Sequence, residues 1–194
     1  MIIKSFELNK LNINKNNIIL FYGQNQGAKE EEIDKIIFSN KIVANKYDEK
    51  QILENIDHIH NEFFSQSLFE EKKIIIINKV TDKLFNLIES IENKSLSNIT
   101  LILNSDNLDK KSKIRNLFEK SKRFICAAFY PDNHDILSKI AINFLKKDNI
   151  SFSQEKINLI VNRCNGDRGI LKNELDKIKF FVKGGKKLTT ENLI

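Results

Sequence analysis

Residues 20–30, Leu-Phe-Tyr-Gly-Gln-Asn-Gln-Gly-Ala-Lys-Glu, carry the side-chain types and the glycine spacing that could hold a phosphate. An apolar run ends at Gly23, a second glycine follows at Gly27, and Lys29 stands at the head of a helical pattern. A phosphate loop reads G-x-x-x-x-G-K-[ST]. Its backbone N–H groups cradle the phosphates, its lysine neutralises them, and its hydroxyl residue holds magnesium. Here Gly23 and Gly27 are four residues apart instead of five, Lys29 comes one position late, and Glu30 replaces the hydroxyl residue. A carboxylate beside a phosphate costs about 4 kcal/mol per unit charge at ~4 Å and an effective dielectric of ~20. A helix N-terminus returns at most ~2 kcal/mol to an anion. The second acid is missing too. An ATPase of this class needs an aspartate after its third strand, and this chain has Asn78-Lys79 there. The expectation is a retained scaffold with a degenerate nucleotide site at Gly23, Gly27, Lys29, Glu30 and Asn78, no catalytic residue, no metal and no cofactor. Weak anion binding without hydrolysis at residues 27–29 is the alternative.

The second candidate is Leu68-Phe69. It follows Ser67 and precedes Glu70, Glu71, Lys72 and Lys73, which lead into the four-isoleucine run at 74–77. The isoleucine run suits a strand buried on both faces, and the charges hold the preceding pair near water. Leu68 and Phe69 are thereby pinned at the rim of a sheet, within reach of another protein. The competing reading is ordinary core packing of the helix before them. Burying a leucine and a phenylalanine contributes about 1.5–3 kcal/mol each, and a fixed presenting element avoids the ordering cost of a floppy peptide.

Positioning these residues falls to an alternation of strands and helices. Strands are expected at 17–22, 41–44, 74–77, 99–103 and 124–128. Helices are expected from Lys29 to about residue 38, then at 51–64, 84–91 and 111–121. Phe6, Leu8 and Leu11 suit a short helix at the sheet edge. This order predicts an α/β domain, residues 1–131, with a parallel five-stranded sheet and right-handed crossovers. Tyr130-Pro131-Asp132-Asn133 holds the one proline and marks the boundary. Residues 132–194 read as a small three-helix domain, with helices at 135–147, after Ser153, and at 168–182. Thr189 or Thr190 reads as a helix N-cap a few residues before the end, so the natural chain is expected to continue.

The chain has 194 residues, 41% hydrophobic and 30% charged, which is enough to bury a core. No apolar run reaches the ~20 residues of a membrane span, and the N-terminus lacks a signal peptide's apolar stretch. No membrane association and a cytoplasmic location are expected. Cys126 and Cys164 read as unpaired thiols, and His58, His60 and His134 do not make a zinc pattern. The net charge of +6 is spread among acids. Its densest basic stretch, Lys110, Lys111, Lys113 and Arg115 with Lys120, Lys122 and Arg123, either contacts DNA or is a solvated face. Two rivals to a protein-binding role stay open: an active P-loop ATPase, and a nucleic-acid-binding module.

LFYGQNQG at 20–27, SLFEEKKIIII at 67–77, FYPDN at 129–133 and NGDRGILKNELDKI at 165–178 together resemble the delta subunit of the bacterial DNA polymerase III clamp loader. The resemblance implies an AAA+-like P-loop domain followed by a helical lid, with the family's collar domain lying beyond Ile194. It implies a subunit that hydrolyses no ATP but binds and opens the sliding clamp. Its partners would be that clamp, the loader's ATPase subunits and delta-prime, and primed DNA indirectly. The family's clamp-binding element is roughly Q-x-x-S-L-F. Ser67, Leu68 and Phe69 match its end, and Phe64 departs from its glutamine. Asn104 lies where active relatives sense phosphate. Arg168 has Asp167, Glu174 or a phosphate as candidate partners, and no arginine finger is assigned.

Overall fold

The computed structural model describes residues 2–4, 8, 17–56, 59, 72–92, 96 and 98–185. By compactness these divide into two units. One comprises residues 1–23 with 31–129, the other 24–30 with 130–194. The second unit thus takes in the loop and first helical turn that carry the phosphate-loop pattern, which a linear division of the chain assigns to the first.

The first unit is built on a parallel sheet in the order β1-β6-β2-β5-β4-β3. Its strands are β1 (Ile2–Lys4), β2 (Ile18–Tyr22), β3 (Ala44–Asp48), β4 (Lys73–Asn78), β5 (Ile99–Ser105) and β6 (Ile125–Ala128). The central strands are apolar at consecutive positions because both faces are covered. Ile74, Ile75, Ile76 and Ile77 are each at most 1% exposed. One face sets Leu20, Ile75, Ile77, Leu101 and Leu103 against Leu87, Ile88, Ile114 and Phe118. The helices are α1 (Gln26–Asn40), α2 (Glu49–Glu54), α3 (Phe85–Glu92), which follows a 3₁₀ turn at Asp82–Leu84, and α4 (Lys113–Lys120).

Among the described residues the sheet has six strands, not the five expected. The addition is β1, whose Ile2 and Ile3 stand beside Cys126 and Ala127 of β6. Three residues are too few to show a period, and this edge strand exists only through its pairing. The expected strand at 41–44 moves to Ala44–Asp48, where Asp48 stands beside Asn78. The sequence ANKYD carries little strand signal, so the partner sets the register. Of the helix expected at 51–64, Glu49–Glu54 is described as α2; 57–58 and 60–71 lie outside the described residues.

The second unit contains α5 (His134–Lys147), α6 (Gln154–Asn162) and α7 (Arg168–Lys183). Their apolar faces meet through Leu137, Ala141, Ile157, Val161, Leu171 and Leu175. Each helix begins at a side-chain cap: Asn133, Ser153 and Asp167. No described helix is long and apolar enough to cross a membrane.

Candidate functional site

In an open parallel sheet, ligands bind beyond the carboxyl ends of the strands where the order reverses, here between β2 and β5. β2 runs straight into Gly23, which has φ +128° and donates its N–H to the Asp106 carbonyl at 3.1 Å. A Cβ there would stand 2.2 Å from the Phe129 carbonyl oxygen, so close backbone approach alone demands this glycine. At the ends of β4 and β5, Asn78 and Asn104 lie side by side. Asn104, 4% exposed, donates Nδ2 to Asn78 Oδ1 at 3.0 Å, and among the described residues its Oδ1 has no hydrogen-bond partner. Two neutral amides thus face each other at the ends of these strands.

The start of α1 lies in the second unit and is closed by that unit's own groups. A helix N-terminus presents N–H groups without intrahelical partners, and these are what a phosphate would use. Here Gln26 donates to the Gln24 carbonyl at 2.9 Å, Gly27 to Asp167 Oδ2 at 3.3 Å, and Ala28 to Asn25 Oδ1 at 3.1 Å. Asn25, 1% exposed, also accepts from the Arg168 N–H at 3.2 Å and donates to Asp132 Oδ2 at 2.8 Å. Arg168 grips the same carboxylate with Nε at 2.6 Å and Nη2 at 3.1 Å. Asp132 is therefore a partner of its guanidinium. A Cβ on Gly27 would stand 1.8 Å from the Gly169 nitrogen, so the two glycines let one helix start touch the other.

Lys29 is completely buried. Glu30 is exposed and receives a 3.4 Å hydrogen bond from Gln26 Nε2. The negative charge that meets the α1 N-terminus is therefore Asp167's, whereas the spacing had pointed to Glu30. Among the four basic residues, Lys110, Lys111 and Lys113 are exposed around the start of α4. Arg115 is set apart from them: it pairs with Glu119 at 2.8 Å, donates to the Leu108 carbonyl at 2.9 Å, and lies 5.0 Å from the centre of the Tyr22 ring. Phe64, Ser67, Leu68 and Phe69 lie outside the described residues.

Sequence patterning places Asp132 only in the boundary at 130–133 and Asp167 only in a helix stop and start and as a candidate partner for Arg168, and it gives Asn25 no role. Asn25 had a legible signal, since an asparagine ahead of a helical pattern suits an N-cap. Nothing local in Asp132 or Asp167 indicates that each reaches a residue more than a hundred positions away.

No family model matches the chain. A probable DNA polymerase III subunit delta from Rickettsia prowazekii is 22% identical over 178 residues, covering 91% of this chain and 54% of that protein. The chain thus spans about half the length of this curated relative. Among solved structures, the Bacillus subtilis DNA clamp loader delta protein matches with TM-score 0.53 and 15% identity, over 97% of this chain and 59% of that one. A point variant of Thermotoga maritima RuvB matches with TM-score 0.68 and 12% identity, over 97% and 64%. Domain III of the Thermotoga maritima replication initiation protein DnaA matches with TM-score 0.59 and 14% identity, over 98% and 86%. The fold is accordingly an α/β, AAA+-like P-loop fold. Within it, the chain is similar in sequence to a DNA polymerase III delta subunit and in fold to a clamp-loader delta protein.

Proposed function

We propose that this chain is the non-catalytic delta-type subunit of a DNA polymerase III clamp loader, acting in the cytoplasm. It binds and opens the sliding clamp, and it meets ATPase subunits, delta-prime and primed DNA only through the assembled loader. The supporting likeness to a delta subunit runs over 91% of the chain. The observation that carries the non-catalytic part is the closed start of α1: the N–H groups of Gln26, Gly27 and Ala28 are all spent on acceptors of the protein itself. A nucleotide would have to displace each of them. Leu68 and Phe69 form the plug that enters a pocket on the clamp, with Ser67 and Phe64 beside it.

The test is calorimetry of the full chain against the sliding clamp, wild type beside Leu68→Ala/Phe69→Ala. Two buried apolar side chains contribute about 1.5–3 kcal/mol each, so affinity should fall by roughly 10²–10⁴-fold with the fold intact by circular dichroism. Unchanged affinity in the double variant refutes the plug. Steady ATP turnover that is lost in Lys29→Ala refutes the non-catalytic assignment.

A further inference from the structure

The start of α1 is more than an unsuitable phosphate site, because one side chain stands in for the missing anion. Asp167 Oδ2 accepts from Gly27 of α1 at 3.3 Å, while Asp167 Oδ1 accepts from Gly169 and Ile170 of α7 at 2.7 and 3.0 Å. A single carboxylate therefore caps two helices, and both positive dipole ends converge on it. Asn25 does the same with a neutral oxygen, which accepts from Ala28 of α1 and Arg168 of α7. The glycines at 27 and 169 allow the close backbone approach that this sharing requires. An ordinary N-cap serves its own helix. Here both acceptors bridge to a segment about 140 positions away.

We propose that the Asp167 carboxylate is a built-in substitute for phosphate, holding the first turn of α1 against the start of α7 so that this unit keeps one arrangement whether or not nucleotide is present. The proposal deepens the non-catalytic reading above and rests on it. A loader subunit that works by its shape needs that shape in every phase of its partners' ATP cycle, and an internal anion supplies it permanently. The Asp132–Arg168–Asn25 cluster completes the device by tying up the arginine at the site.

The experiment follows the backbone amides of Gln26, Gly27 and Ala28 in the full-length chain by NMR and hydrogen exchange. Phosphate is compared with chloride at equal ionic strength. In the wild type, phosphate should leave these resonances and their exchange rates unmoved; a saturable shift overturns the proposal. This arm does not depend on any variant folding. Asp167→Ser keeps a good cap for α7 but carries no charge and is too short to reach Gly27. In chloride its Gly27 amide should exchange at least about tenfold faster than in the wild type, and inorganic phosphate should restore protection. Protection that is unchanged in chloride, or a loss that phosphate does not repair, overturns the proposal, the latter making Asp167 a structural cap only. Clamp affinity of the wild type is measured on the same samples. If the phosphate results fail while clamp binding persists, this inference falls and the loader assignment stands; if the wild type binds no clamp, the loader assignment falls on its own.

Discussion

Asn25→Asp replaces one amide nitrogen with oxygen and should nonetheless be among the most damaging isosteric changes in the chain. Asn25 is 1% exposed and uses its full hydrogen-bonding capacity. Its Oδ1 accepts from Ala28 and Arg168, and its Nδ2 donates to Asp132 Oδ2 at 2.8 Å and to the Tyr130 carbonyl at 3.3 Å. The aspartate keeps both acceptor contacts but turns a negative oxygen toward Asp132. Two unit charges at ~4 Å repel by about 4 kcal/mol at an effective dielectric of ~20. The bidentate Arg168 offsets part of this and the lost donor to Tyr130 adds to it, so the net cost is roughly 2–4 kcal/mol. At about 2–4 °C per kcal/mol for a chain of this size, the thermal midpoint should drop by roughly 5–15 °C at neutral pH. The assay is thermal unfolding by circular dichroism at neutral pH. A midpoint unmoved in Asn25→Asp would refute the charge-pair reasoning.

Two further outcomes follow from buried or capped groups. Burial would by itself raise the Asp82 carboxyl, but hydrogen bonds from the Ile114 N–H, the Ser112 hydroxyl and the Lys113 N–H outweigh it and hold the group below its ordinary value. A depressed carboxyl stabilises above its unfolded pKa and loses that effect as the pH falls through the folded one. Asp82 is exposed, so water screens much of this effect. Asp82→Ala should cost at most about 0.5–1 kcal/mol at neutral pH, chiefly through the lost cap of α4, and the difference from wild type should close below about pH 4 in urea titrations. Burial pushes the Cys126 thiol up to about 12 and the Cys164 thiol up to about 11. Neither should react with a disulfide reagent in the native protein at mildly alkaline pH, and both should react in denaturant. Rapid native labelling of either would contradict the packing described.

The alternation of strands and helices was legible along the chain because parallel strands covered on both faces must be apolar throughout, as residues 74–77 and 99–103 are. The helix starts at Ser153 and after Asn165-Gly166-Asp167 were legible for a similar reason, since a cap is a local hydrogen bond between neighbours in sequence. The departures from a phosphate-loop pattern, at the Gly23–Gly27 spacing, Lys29, Glu30 and Asn78, are readable in the same way. The tertiary structure decided what local pattern does not encode. β1 is a strand because β6 pairs with it, and β3 takes its register from β4. Arg168 turns to Asp132, and the carboxylate at the head of α1 comes from Asp167. Those choices rest on groups more than thirty and more than a hundred residues apart, which only the packed chain brings within hydrogen-bonding distance.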